Sequence, residues 1–206
     1  MSIVEERPAG FFKSDLWLFS LMLFSAVISL LAAFMLSVDA IELAKNPDAE
    51  LACDINAVIS CGTVASQWQS AIFGFPNAFI GLICEPVVIT IAIAGLTGVK
   101  FKKGFMAVAQ VIYLLGLIFA LWLFYQSAFV IHAFCPWCLL VTLGTTMTFF
   151  TLLRYNFIHN NFYLRGKVKE VSLFSVRTGI DTAIEIILII SVLATIVIKY
   201  GSSLLG

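Results

Sequence analysis

Cysteine is the residue type in this chain best suited to chemistry, and its placement is uneven. The chain holds five cysteines. Cys53 and Cys61 are eight residues apart, Cys135 and Cys138 form Cys-Pro-Trp-Cys, and Cys84 stands alone in an apolar run. Pro136 follows Cys135 directly, at a favoured first-turn position for a helix. A helix starting there aims its first backbone N–H groups and its dipole at the Cys135 sulfur. That setting lowers a thiol pKa and favours the attacking thiolate. Two other uses of these cysteines compete with redox chemistry. A zinc site takes four ligands, and Cys53 and Cys61 would complete a set with the other pair. Their eight-residue separation is not the short spacing of a zinc knuckle. A structural staple is the other use, but a two-residue spacing closes almost no loop and so constrains the unfolded chain little. Thiol–disulfide exchange fits better than either, and no metal is expected.

Cys53 and Cys61 also constrain the backbone between them. A disulfide needs Cα atoms within about 7 Å, while eight residues of continuous helix span about 12 Å. Either residues 56–60 turn back and the two cysteines pair, or the segment is helical and they pair elsewhere, for example Cys61 with Cys135. Downstream, Val64, Trp68 and Ile72 recur at four-residue spacing. This predicts a short amphipathic helix lying on a membrane surface over the cysteines.

The elements that must position these sulfurs are membrane helices. The 206 residues are 61% hydrophobic and 12% charged, with a mean hydropathy of +1.04. Soluble domains are about a quarter charged. A helix crosses the hydrocarbon core in about 20 residues. Five stretches approach that length with few or no charges: 16–36, 72–96, 105–124, 136–153 and 183–198. The first is longer than the roughly 7–15 apolar residues of a signal peptide, so an uncleaved anchor is expected. The expected class is an all-α membrane protein. Residues 1–15 form a cytoplasmic tail, 16–155 a four-helix core with an external loop at 37–70, and 156–206 a cytoplasmic connection plus a fifth helix.

Lys and Arg near helix ends stay cytoplasmic. Arg7, Lys13, Lys100, Lys102, Lys103, Arg154, Arg165, Lys167, Lys169 and Arg177 fall on one side of the proposed bundle, and only Lys45 and Lys199 on the other. The N-terminus is then cytoplasmic, and the acidic first loop (Asp39, Glu42, Asp48, Glu50, Asp54) is external. Four of the five cysteines then face the compartment in which disulfides persist. Membrane lipid is an obligate neighbour, and no basic cluster suggests nucleic acid.

Cys53-Asp54-Ile55-Asn56, Ser60-Cys61-Gly62, Phe73-Gly74-Phe75-Pro76-Asn77-Ala78, Gly81 and Cys135-Pro136-Trp137-Cys138 together resemble the vitamin K epoxide reductase family in the form of its bacterial members. The resemblance covers roughly residues 15–155. It implies a four-helix bundle around a quinone, capped by the loop that carries the first cysteine pair and joined here by a fifth transmembrane helix. It also implies an enzyme of the bacterial cytoplasmic (inner) membrane that reoxidises a thioredoxin-fold partner on the external side. Electrons pass to ubiquinone or menaquinone, which supports disulfide formation in exported proteins. Since no thioredoxin domain follows the fifth helix, a separate partner is expected. Carried over by position, Cys53 exchanges with the partner, Cys61 and Cys135 exchange with each other, and Cys138 faces the quinone. Asn77 matches a quinone-contacting Asn, Ser66 is the nearest match to a Ser near the site, and Trp137 is placed to line it. The run Leu139-Leu140-Val141-Thr142-Leu143 lacks the Tyr that vertebrate members carry after the pair, which argues against epoxide reduction as the physiological reaction. The other class of quinone-linked disulfide generator has its Cys-x-x-Cys before its second pair, the reverse of the order here. A non-enzymatic membrane scaffold with two structural disulfides is the alternative.

The remaining polar residues in apolar runs have bland and functional uses. Cys84 reads as a small buried apolar group. Glu85 is expected to face the bundle interior, as a proton carrier or as a hydrogen-bond partner. Glu185 is expected to reach the interface near the inner end of the fifth helix. His132 reads as an interfacial residue or a proton acceptor for exchange. Trp122 reads as a member of an aromatic belt or of the quinone site.

Overall fold

The computed structural model describes residues 14–56 and 58–205, with side chains as far as 201. The greater part of the expected 1–15 tail, with Arg7 and Lys13, lies outside the described residues. In chain order the helices are α1 (Asp15–Lys45), α2 (Cys61–Ala65), α3 (Ala78–Leu96), α4 (Lys103–Gln126), α5 (Pro136–Ile158), α6 (Gly166–Thr178) and α7 (Ile180–Leu205). A 3₁₀ turn spans Trp68–Ala71 and a π-helical turn spans Ser127–Ile131. Among the described residues the one β-type pairing is an isolated bridge between Ile59 and Phe134. Among the described residues five helices (α1, α3, α4, α5 and α7) are long and apolar enough to cross a membrane. The protein is an all-α, multi-pass membrane protein.

The helix ends differ from the expected ones for local reasons. α1 runs on to Lys45 rather than stopping near residue 36, because nothing breaks it before Asn46 and Pro47. The residue before a proline is pushed out of the α region, and Asn46 is extended there (φ −137°, ψ 100°). α3 begins at Ala78 rather than near residue 72. Gly74, with φ +80°, turns the chain ahead of Pro76. α5 continues to Ile158 and takes Arg154 into the bundle instead of leaving it in the connection. The proposed amphipathic helix is instead two short pieces, α2 and the 3₁₀ turn, with Trp68 67% exposed.

α1 packs between α3 and α5, while α4 and α7 both pack on α5. Small residues allow this close approach, as is usual where helices meet in lipid. Ser25 of α1 bonds Thr148 of α5 at 2.7 Å. A Cβ added at Gly144 would lie 2.0 Å from Ser29 Oγ. One added at Gly81 would lie 2.7 Å from Ala33 Cβ. The main apolar cluster includes Leu18, Phe19, Met22, Val88, Met106 and Leu152. Two polar groups cross it. Tyr113 donates to buried Glu85 at 3.1 Å, and Asn156 donates to Gln110 at 3.1 Å. Glu85 therefore faces inward, with a hydroxyl partner.

Candidate active site

All four cysteines outside α3 gather at the end of the bundle where α1 and α4 finish and α5 begins. Cys53, Cys61 and Cys135 are buried together with Leu51, and Trp137 and Cys138 pack on them. The local chain explains each position. The chain turns back between Cys53 and Cys61. Ile55 and Asn56 both donate backbone N–H bonds to the Ile59 carbonyl, and Asn56 Oδ1 accepts from the N–H groups of Val58 and Ile59. The turn brings the Cα atoms of Cys53 and Cys61 to 5.6 Å, and the two are joined by a disulfide. Of the two arrangements left open by spacing, the turned one is present.

Asp54 fastens this turn to α2. Its carboxylate accepts from Gly62 N–H at 2.9 Å, from Leu51 N–H at 3.0 Å and from the Ser60 hydroxyl at 2.8 Å. Desolvation raises the Asp54 pKa, but these bonds and one from the Cys61 backbone outweigh it and hold the carboxyl below its usual range. Gly62 suits this approach: a Cβ there would lie 2.9 Å from Asp54 Oδ2, and the carboxylate would have to shift within its hydrogen bonds to make room. Ser60 also caps α2, its Oγ accepting from Thr63 N–H at 3.0 Å.

Cys135 is the N-cap of α5, with Pro136 in the first turn. Its sulfur lies 3.1 Å from Cys61 Sγ. A short backbone bridge sets that proximity. Phe134 N–H donates to the Val58 carbonyl at 2.7 Å, and Ser60 N–H donates to the Phe134 carbonyl at 3.0 Å. Each bridged residue, Ser60 and Phe134, directly precedes one of the two cysteines. The Cys135 thiol is held below its ordinary pKa by the hydrogen bond from the Cys138 thiol, against an opposing burial effect, with help from the N–H groups of Cys138 and Trp137. Cys135 and Cys138 are free thiols in this structure. The array therefore contains one disulfide and one dithiol, with one sulfur of each in contact.

By sequence Asp39 is one of the acidic residues of the first loop. The extension of α1 buries it and places Oδ2 3.6 Å from Cys53 Sγ. Asp39, Cys53 and Cys61 bring three ligand-type atoms within 4.8 Å of one another. In the form present here the two sulfurs are bonded to each other, and neither is a thiolate.

Asn77 lies just before α3. Its Nδ2 donates to the Gln69 carbonyl at 2.7 Å, which fixes the orientation of the amide. Asn77 Oδ1 and Gln69 Oε1 are both buried without a hydrogen-bond partner. An unpaired buried oxygen costs about 1–3 kcal/mol. A hydroquinone O–H would satisfy Asn77 Oδ1, and the second Nδ2 proton can donate to a quinone carbonyl. By chemistry alone, the Asn77 amide offers an acceptor to a hydroquinone and a donor to a quinone. Gln69 also donates to Gln126 of α4 at 3.3 Å; neither glutamine was singled out from sequence, because isolated polar residues there carry no periodic signal.

The other expected residues are placed as follows. Ser66 is exposed and donates to the Thr63 carbonyl. Trp137 is half-buried against the cysteine cluster. Trp122 stacks on Phe119 and meets Trp68, and Phe119 in turn meets Phe73. Cys84 is half-buried, one residue before Glu85 in α3. His132 is exposed with φ +63°, its Nδ1 3.0 Å from the Val130 carbonyl. Glu185 differs from expectation. It is buried, and with Asp181 it pairs with Arg154, which holds it inside the bundle rather than at the interface.

A multi-pass helical bundle with a disulfide and a dithiol in contact at one end defines a membrane protein of the thiol–disulfide class. Residues 20–153 match the vitamin K epoxide reductase family, and the chain belongs to that family. It is thus a membrane oxidoreductase of a family that uses quinones and generally works with thioredoxin-like partners. The match takes in α3 and α4 whole and most of α1 and α5, while α6 and α7 lie beyond it. A search of curated proteins finds no match.

Proposed function

We propose that this protein reoxidises a separate thioredoxin-fold dithiol protein outside the cytoplasmic membrane of a bacterium and delivers the electrons to a membrane quinone. The observation that carries the proposal is the 3.1 Å contact between Cys61 Sγ, still bonded to Cys53, and the Cys135 thiol. A static pair of structural disulfides has no need of such a contact.

A partner thiolate attacks Cys53, and Cys61 leaves with the electron pair as a thiolate. The partner's second thiol attacks the mixed disulfide, releasing oxidised partner and a Cys53 thiolate. Cys61 attacks Cys135 in the Cys135–Cys138 disulfide, and Cys138 leaves as a thiolate. Cys53 then attacks Cys61, which re-forms the Cys53–Cys61 bond and releases Cys135. The result is a disulfide at Cys53–Cys61 and a dithiol at Cys135–Cys138, the combination present here. A quinone supplies a two-electron, two-proton acceptor for that dithiol. Cys138 is the sulfur we assign to its side, with Asn77 and Trp137 as the contacting residues. Ser66 is the remaining residue proposed near the quinone, its hydroxyl bonded to the Thr63 carbonyl. Exchange direction follows reduction potential, about 30 mV per tenfold change in equilibrium constant for this two-electron couple.

Charge placement supports an external site. Among described residues, Lys100, Lys102, Lys103, Arg165, Lys167, Lys169 and Arg177 lie at the end of the bundle away from the cysteines, and Lys45 and Lys199 at the cysteine end. Arg154, being paired and buried, does not count towards this bias.

The test uses the purified full chain, a reduced thioredoxin-fold protein and a soluble quinone, followed by quinone absorbance. Thiol-dependent quinone reduction is expected, abolished separately by Cys135→Ala and by Cys138→Ala and retained in Cys84→Ala. No thiol-dependent reduction overturns the proposal. Cys61→Ala is expected to trap a mixed disulfide on Cys53.

A further inference from the structure

The fifth membrane helix lies outside the family match, yet its outer end is built into the cysteine junction. Three contacts make the link. Tyr200 Oη and Lys199 Nζ both donate to the Ala128 carbonyl, at 2.8 and 2.5 Å. The Tyr200 ring meets the Phe134 ring edge-on, with centroids 4.9 Å apart. Ala128, Phe134 and Tyr200 are all buried and form one apolar cluster.

The Ala128 carbonyl needs these donors. It lies in the π-helical turn that ends α4, where His132 N–H returns to Ser127 and the chain then leaves the helix. A carbonyl in the last turn of a helix has no partner within that helix. Buried and unpaired, it would destabilise the turn. α7 provides two donors from adjacent residues. The turn is pinned at a second point by the Ser127 hydroxyl, which donates to the Ala133 carbonyl. Residues 127–134 are thus held from one side by α7. From the other side, Phe134 is held by its backbone bonds to Val58 and Ser60. The inner end of α7 is anchored independently, through the ion pairs of Asp181 and Glu185 with Arg154 of α5.

We propose that Tyr200 and Lys199 are positioning residues for exchange between Cys61 and Cys135: they clamp the Ala128 turn and the Phe134 ring, and so hold Cys135 against Cys61. Neither residue touches a sulfur. Tyr200 meets Phe134 directly and Lys199 holds the Ala128 turn that leads to it; the backbone bridge of Phe134 places the two cysteines side by side. The inference rests on the proposed relay, but its test needs neither quinone nor partner.

The full chain carrying Cys53→Ala and Cys138→Ala retains Cys61 and Cys135 as the exchanging pair. Its Cys61–Cys135 disulfide is equilibrated with a glutathione redox buffer, and the constant is read by thiol alkylation. Adding Lys199→Met and Tyr200→Ala is expected to weaken that disulfide about tenfold, or about 30 mV. Tyr200→Phe, which keeps the ring, is expected to restore part of the loss. The control is the Cys53–Cys61 disulfide measured in a Cys135→Ala/Cys138→Ala background, which the same α7 substitutions should leave within about twofold. A Cys61–Cys135 constant unchanged by the α7 substitutions overturns the proposal. An equal fall in both disulfides also overturns it, because α7 would then support the bundle generally. Failure of quinone reduction in the turnover assay leaves this measurement unaffected, so the two claims fail separately.

Discussion

Cys135 accepts a hydrogen bond from the Cys138 thiol while lying 3.1 Å from Cys61, so one sulfur answers to both halves of the site. The Cys138 thiol is the largest influence lowering the Cys135 pKa, ahead of the opposing effect of burial. In a chain lacking the other three cysteines, ultraviolet thiolate absorbance of the reduced pair is therefore expected to rise at a pH below that of an ordinary thiol. Cys138→Ala should move that midpoint upward; an unmoved midpoint would show that the helix N–H groups alone set it. Asp54 carries the second residue-scale prediction. Its folded pKa is depressed, so it contributes stability above its unfolded pKa, and that contribution is lost as pH falls through the folded value. Proteolysis of the loop that carries Asp54 should accelerate in acid for this reason. Asp54→Asn should cleave faster at neutral pH and show a flatter acid response, and identical profiles for the two proteins would sink the assignment.

At the scale of elements, α1 determines where everything else can sit. It carries Asp39 to the disulfide, and it packs against α3 and α5 through large residues such as Phe19 and Met22 at one end and through close approaches of Ala33 to Gly81 and Ser29 to Gly144 further along. Gly144→Ala tests this packing. Its new Cβ would meet Ser29 Oγ at 2.0 Å and the Ser25 carbonyl at 3.0 Å, and a helix backbone cannot swing aside as a side-chain tip can. Overpacking of this kind costs about 1–3 kcal/mol, so a lower thermal midpoint in detergent is expected, with Gly104→Ala, in open space, as the neutral control. The membrane helices were legible in the sequence because hydropathy is a sum over about 20 residues. Their ends were not, because each depends on one local event: Pro47 after α1, Gly74 before α3, and a salt-bridge partner that lets Arg154 stay inside α5. α2 and the 3₁₀ turn read as one amphipathic helix because four-residue apolar spacing survives a break in hydrogen bonding.

On the scale of the whole molecule, the cysteine constellation was legible because its residue types are rare and its order is diagnostic, while the groups that steady it were not. Asp39, Gln69, Ala128 and Tyr200 become neighbours of the site only when distant segments meet, and no spacing along the chain announces that. The same holds for the ion cluster of Arg154 with Asp181 and Glu185, which joins α5 to α7 across 27 and 31 residues of chain. All three side chains are buried, and Asp181 Oδ1 has no hydrogen-bond partner. Removing one member of a buried ion pair leaves a charge with nothing to offset its desolvation, at about 3–5 kcal/mol. Replacing the whole set with apolar residues of similar size is often neutral. Arg154→Met alone is therefore expected to destabilise the full chain by about that amount. The triple variant Arg154→Met/Asp181→Leu/Glu185→Met should recover most of it. Denaturant unfolding in detergent, read by tryptophan fluorescence, measures both. If the single variant is as stable as the parent, the cluster does not anchor α7, and the inner attachment of that helix rests on apolar packing alone.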